Sequence, residues 1–133
     1  MNLRKLINKN SLYEEYINIL NGVLKLSKRE TEVLALILKA DANGVGEDIN
    51  SKLIRIGITK TLGISEPNLS KYLNTFKTKG IIIKEAGNWV VNNNVRPVIT
   101  GGILELIFTL EIDEGIKKSN DNSTSGMVVD NEF

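Results

Sequence analysis

Residues Ile58 to Trp89 read ITKTLGISEPNLSKYLNTFKTKGIIIKEAGNW, which contains a helix end, a tight turn, a second helix and the start of a β-hairpin. Gly63 can take the left-handed conformation that closes one helix, and Ser65 is placed to cap the next. The second helix is predicted from about Glu66 to Lys79. Pro67 fits its first turn, because the backbone N–H that proline lacks has no helical partner there. Leu69, Tyr72, Leu73 and Phe76 recur at steps of three and four and give one buried stripe, leaving Asn68, Lys71, Asn74, Thr75 and Thr78 on the other face. Gly80 stops the helix, Ile81-Ile82-Ile83 is a β-branched run, and Glu85-Ala86-Gly87-Asn88 is a turn before Trp89-Val90-Val91.

Upstream, Ser51 to Gly63 is predicted as a positioning helix with Leu53, Ile54, Ile58 and Leu62 inward and Lys52, Arg55 and Lys60 outward. Gly57 weakens that assignment by about 1 kcal/mol of helix preference, and a short β-segment over Leu53 to Ile56 competes with it. Ile58, Leu62, Ile64, Leu69 and Tyr72, set around Gly63, follow the spacing of a helix-turn-helix. The stretch KLIRIGITKTLGISEPNLSKYLNTFKTKGIIIKEAGNWVVNNN, Lys52 to Asn94, resembles the winged-helix domains of plasmid and phage replication initiators and small phage regulators. The resemblance covers Leu26 to Asn94. It implies double-stranded DNA as partner, although winged helices also serve as protein-binding modules.

On that reading Asn68, Lys71, Asn74 and Thr75 face the major groove, asparagine being suited to adenine, while Ser65, Lys60 and Thr78 hold phosphates. Lys84 and Asn88 on the wing reach the neighbouring groove or backbone. One recognition helix reads only a few base pairs, so site-specific affinity calls for a homodimer. Charge distribution agrees: Ser51 to Lys84 holds seven cations against the single Glu66, a local balance of +6, although the whole chain is only +1. From Glu111 onward the balance is four negative.

The expected architecture is mainly α with a small β-sheet: a winged helix-turn-helix with an extra N-terminal helix, an additional C-terminal β-strand and a disordered tail. Its divisions are a helical extension over 1–25, the winged-helix domain over 26–114 and a flexible acidic tail over 115–133. Asn2 to Lys9 reads equally as a short helix or a basic arm. Ser11 to Leu24 is predicted as a helix with Leu12, Tyr16, Ile19, Leu20 and Val23 on one side, packing on the domain or mediating dimerisation. Ser27 and Glu30 form a capping box with Leu26 set for a staple, and the helix runs through Thr31 to Lys39 over Val33, Leu34, Ile37 and Leu38. This start resembles response-regulator DNA-binding domains, but the polar loop Asp41 to Asp48, DANGVGED, suits a winged helix better. That loop lacks the spacing of a calcium-binding EF-hand and is read as a connection, with Ile49 contributing a residue of β-structure after it.

Beyond the wing, Asn92-Asn93-Asn94 and Pro97 end its second strand. LELIFTLEID, Leu104 to Asp113, alternates strictly, with Leu104, Leu106, Phe108, Leu110 and Ile112 on one side. It is predicted as a half-buried strand that extends the wing sheet or pairs with a second copy. Met127 to Phe133 resembles the acidic, phenylalanine-terminated tails of bacterial single-stranded DNA-binding proteins, which implies a protein partner there, beside the plainer reading of an untethered end.

Composition narrows the classes. The absence of cysteine and histidine removes disulfides, thiolate and Ser-His catalysts and the commonest transition-metal ligands, so no enzyme activity, cofactor or metal is expected. A 41% hydrophobic content with no long apolar run gives no membrane span and a cytoplasmic expectation, host cytoplasm if phage encoded. Abundant asparagine and isoleucine are compatible with a phage, plasmid or low-GC bacterial source. The expected role is replication initiation or transcriptional regulation, and the alternative is a structural or adaptor protein, such as a virion or assembly component, that binds protein through the same fold.

Overall fold

The computed structural model describes residues 4–44 and 48–113, and the tail expected over 115–133, Met127 to Phe133 included, lies outside them, as do residues 45–47 of the polar loop. Four helices, α1 (Leu12–Leu24), α2 (Lys28–Asn43), α3 (Lys52–Leu62) and α4 (Glu66–Thr78), precede two antiparallel hairpins. The first pairs β1 (Ile82–Glu85) with β2 (Asn88–Val91), and the second pairs β3 (Val98–Thr100) with β4 (Ile103–Glu105). No helix among the described residues is long and apolar enough to cross a membrane.

The helix starts follow their capping chemistry. Ser27 accepts from the Glu30 amide while Glu30 accepts from the Ser27 amide at 2.8 Å, so the capping box is complete. Ser51 and Ser65 accept from the amides of Ile54 and Asn68. Ser11 makes no side-chain cap; before it, Asn8 accepts from the Asn10 amide and opens a short 3-10 turn over Lys9–Ser11. Gly63 closes α3 at φ 63°, the left-handed conformation that carries the chain into α4 within three residues.

One core joins these elements. Leu34, Ile37 and Leu38 of α2 and Leu69, Leu73 and Phe76 of α4 are fully buried, together with Ile17, Ile49, Ile81, Ile82 and Val91. α1 packs on α2, and its connection is held by Asn21, whose side chain donates to Leu26 O and accepts from Leu26 N. The face of α1 is rotated from the predicted one: Tyr16, Ile17 and Leu24 are buried, while Ile19 is exposed. Docking on α2, with Tyr16 and Leu24 also held by Val95 and Lys79, selects the stripe through residues 16, 17 and 24, which sequence spacing alone does not separate from its flank.

Three further expectations are corrected. Leu53, predicted inward, is 76% exposed at the start of α3, which buries only Ile58 fully and remains helical across Leu53 to Ile56. α2 continues through Asp41 to Asn43, into the predicted loop. Asp41 is buried there because Arg96 clasps its carboxylate at 2.8 and 3.0 Å, tying the end of α2 to the segment after β2. That hydrogen bonding raises the Arg96 guanidinium further above its ordinary pKa. Lastly, the strand expected over Leu104 to Ile112 is paired only to Glu105, and its partner is β3 rather than the β1–β2 sheet. The register explains where it stops. Val98 opposes Glu105, so the next pairs would set Leu106 against Pro97 and Ile107 against Arg96, whose backbone amide donates instead to Asn93 O at 3.3 Å.

Ile49 donates its amide to Trp89 O at 2.7 Å and Trp89 donates back to the Asp48 carboxylate at 3.0 Å, so the chain before α3 lies against β2, although Ile49 stands in a turn rather than in the β-structure expected of it. Buried Asn92 has its polar atoms satisfied: the amide nitrogen donates to Gly80 O and the amide oxygen accepts from Asn94 N.

Two outcomes are expected. Gly57 lies in mid-helix with nothing within 4 Å of a Cβ, so Gly57→Ala should raise stability by about 0.5–1 kcal/mol in urea melts, and Gly63→Ala, at positive φ, should lower it. Tyr16, whose hydroxyl donates to Val95 O at 2.6 Å, has its phenol pushed by burial up to about 12. Because the folded pKa lies above the unfolded one, this contribution is complete below pH 10 and is lost as pH rises towards about 12. In Tyr16→Phe the stability difference from the parent should therefore shrink over that alkaline window, and a constant difference from pH 8 to 12 would contradict it.

Candidate nucleic-acid interface

Docking of Leu69, Leu73 and Phe76 on the core turns the other side of α4 to solvent. Asn68, Lys71, Asn74 and Thr78 are exposed and Thr75 is half-buried, so the five residues predicted for this face are brought together on it. Lys71, Asn74, Thr75, Thr78 and Lys79 line a shallow depression of about 340 Å³. Asn74 also borders a second one of about 310 Å³, lined by Asn50, Arg55, Ser70, Leu73 and Lys77, on the side towards α3. The hydroxyls of Thr75 and Thr78 donate to the carbonyls of Lys71 and Asn74 four residues earlier, so each presents an acceptor outward. Lys71 carries the only cation on the central stripe, and Asn74 stands one turn beyond it.

The remaining predicted residues surround this stripe at different distances along the chain. Lys60 is exposed in the last turn of α3, beside the turn into α4. Ser65 is the N-cap of α4, and its oxygen is taken by the Asn68 amide. Lys84 and Asn88 are exposed on β1 and β2 and are paired across the hairpin with Trp89 and Glu85 respectively. The hairpin turn is Ala86-Gly87 with both residues at positive φ, 50° and 84°, the two-residue geometry that matches strand twist.

The structure turns three cations to the fold itself, among them Arg55, which the sequence placed outward. Arg55 donates to Glu66 through Nε at 3.0 Å and Nη2 at 2.7 Å, to Ser70 Oγ at 2.6 Å and to Asn50 Oδ1 at 2.7 Å. It therefore clamps α3 to α4 and neutralises the one acid of the basic centre. Lys77 Nζ lies 4.4 Å from the centroid of the Trp89 ring, bridging α4 to the hairpin, with Lys84 on the same ring at 5.9 Å. Lys79 Nζ donates to Leu24 O at 2.9 Å. The sequence held one signal for the clamp, an arginine and the single glutamate on either side of the Gly63 turn, but no spacing rule relates two helices that cross.

With this geometry in hand, comparison of the chain with models of known protein families, with curated proteins and with solved structures finds no match.

The clamp has a measurable weight. Arg55→Ala should cost about 1–3 kcal/mol, since it removes a largely buried guanidinium that donates to Asn50 and Ser70 as well as to Glu66. Glu66→Gln should cost less than about 1 kcal/mol, because Glu66 is 53% exposed and solvent screens the pair. Denaturant midpoints that ranked the two in the opposite order would show the clamp to be ornamental.

Proposed function

We propose that this chain is a winged-helix protein that binds double-stranded DNA, with α4 as its recognition helix, the β1–β2 hairpin as its wing, and a role in replication initiation or transcriptional control of a phage or plasmid. The observation that carries this reading is the outward stripe of α4: amides, hydroxyls and one ammonium on a rigid, core-docked helix, with no apolar residue larger than Pro67 among its exposed positions. Asn68, Lys71, Asn74 and Thr75 are the base-facing groups. Lys60, Ser65 and Thr78 approach phosphates at the edges, and Lys84 and Asn88 reach the backbone or the adjoining groove from the wing. Pairing of Glu66 with Arg55 supports the reading, because it offsets the one acid between Ser51 and Lys84, leaving Glu85 on the wing as the nearest exposed acid in sequence.

A second reading, an adaptor that binds protein through the same face, draws support from the inward use of Arg55, Lys77 and Lys79, which leaves Lys52, Lys60, Lys71 and Lys84 as the exposed cations of the basic centre. Salt separates the two. Binding to random duplex should weaken steeply from 50 to 200 mM salt, and Lys71→Ala should reduce the slope of log K against log salt by about 1. Asn74→Ala should leave that slope unchanged and cost about 1–3 kcal/mol only on a duplex selected for tight binding. Absence of duplex binding at 50 mM salt by the folded protein would favour the adaptor.

A further inference from the structure

The depression between α3 and α4 is lined by Asn50, Arg55, Ser70, Leu73, Asn74 and Lys77. Its volume of about 310 Å³ stands at the lower end of the roughly 300–1,000 Å³ of ligand pockets, and buried Leu73 is its one apolar lining residue. It therefore suits a small polar group rather than an apolar ligand. Arg55 and Lys77 make it cationic, and among the described residues no acid lines it. The acids nearby are engaged elsewhere, Glu66 by Arg55 and Asp48 by the backbone amides of Asn50 and Trp89.

The Arg55 clamp decides what the neutral residues offer. Arginine has donors and no acceptor, so each partner meets it with an oxygen, Asn50 with Oδ1 at 2.7 Å and Ser70 with Oγ at 2.6 Å. Acceptors are thereby taken and donors are left: Asn50 keeps the two N–H groups of its amide, and Ser70 keeps its O–H. Lys77 sets its ammonium 4.4 Å from the centroid of Trp89, a contact with one ring face that leaves N–H groups for a further acceptor. Among the described residues no carboxylate lies within ion-pair distance of Lys77. Asn74 adds an amide that can turn its donors the same way. Donors from the turn before α3 and from two turns of α4, around positive charge, match the oxygens of a phosphate.

We infer that this depression seats one phosphate group, with Asn50, Ser70 and Lys77 as its donors and Arg55 as the residue that positions the first two. The source of the phosphate rests on the duplex reading above. Asn74 lines both this depression and that of Lys71, Thr75 and Thr78, so the group is a backbone phosphate beside the base-facing stripe. A free phosphate-bearing ligand is the other source of the same chemistry.

Asn50→Asp tests the seat without loosening the clamp. Its carboxylate still accepts from Arg55, so the urea midpoint should not fall, but two donors become acceptors and a negative charge enters the seat. Affinity of the full chain for a random duplex at 50 mM salt should drop by at least about tenfold, the loss expected when a hydrogen bond to a charged group gives way to repulsion. Asn93→Asp alters an exposed asparagine that likewise accepts from an arginine but lies outside the depression, and should bind as the parent does. Lys77→Gln should reduce the slope of log K against log salt by about 0.9, the counterion release of one phosphate. Parental affinity in Asn50→Asp, or an unchanged slope in Lys77→Gln, overturns the inference. If the unaltered chain binds no duplex, the duplex reading fails and inorganic phosphate decides the seat. Replacing chloride by phosphate at constant ionic strength should then shift the side-chain amide resonances of Asn50 and Asn74 saturably in the parent and not in Lys77→Gln. A saturating shift upholds the seat with a free ligand as its source, and the absence of one overturns it.

Discussion

The docking of α4 on the core through Leu69, Leu73 and Phe76 is the constraint on which the remaining geometry depends. Three buried side chains at i, i+4 and i+7 fix not only where the helix lies but its rotation about its own axis, and rotation decides which residues meet solvent. A turn of about 160° would bury Lys71 and Asn74 and expose leucine. Deleting one of the buried groups costs about 2–5 kcal/mol, a large part of the stability of a small domain, so the outward presentation of the polar stripe is enforced by the strongest term available. The neighbouring elements preserve this rotation: Ser65 caps the helix, Arg55 ties its first turns to α3, and Lys77 rests on Trp89 of the hairpin.

Charge is arranged with the same economy. Of the seven cations between Ser51 and Lys84, three serve the fold, and the acid that accompanies them is held by one of the three. What remains exposed is a small set spread over both ends of α3, the centre of α4 and the edge of the first hairpin. On the proposed reading this spacing suits a duplex, where positioning contacts to phosphate flank a central group of base-facing amides. Orientation of the two hairpins differs in kind: the first is tied to the core through Ile49, Asp48 and Asn92, whereas the second is anchored by Leu104 and Leu106 and otherwise open.

Local chemistry was legible in the sequence. The Ser27 and Glu30 capping box, the Gly63 turn, the Ser65 cap with Pro67 behind it, the buried positions of α4 and the Ala86-Gly87 hairpin are each fixed by residues within a few positions of one another, and each stands in the structure. The polar face of α4 follows from the same periodicity. Less legible were features set by two distant segments. Asp41 looked like part of a polar loop because its reason for burial, Arg96, lies fifty-five residues away. Arg55 looked outward because Glu66 belongs to a helix that crosses its own. The alternation from Leu104 to Ile112 indicated a half-buried strand, yet pairing ends at Glu105 and Phe108, Leu110 and Ile112 are exposed, because the backbone amide of Arg96, opposite Ile107, donates to Asn93, a matter of register that alternation does not contain.

The central claim is that α4 and the first hairpin together form a duplex-binding face, and backbone amide resonances report on it residue by residue. Titrating the labelled protein with a short random duplex at low salt should shift the amides of residues 67–78, Lys60 and residues 84–88, while those of α1 and of residues 98–112 remain in place. The account is contradicted if the protein stays folded and no amide of α4 moves, or if the shifts fall on α1 and the second hairpin instead.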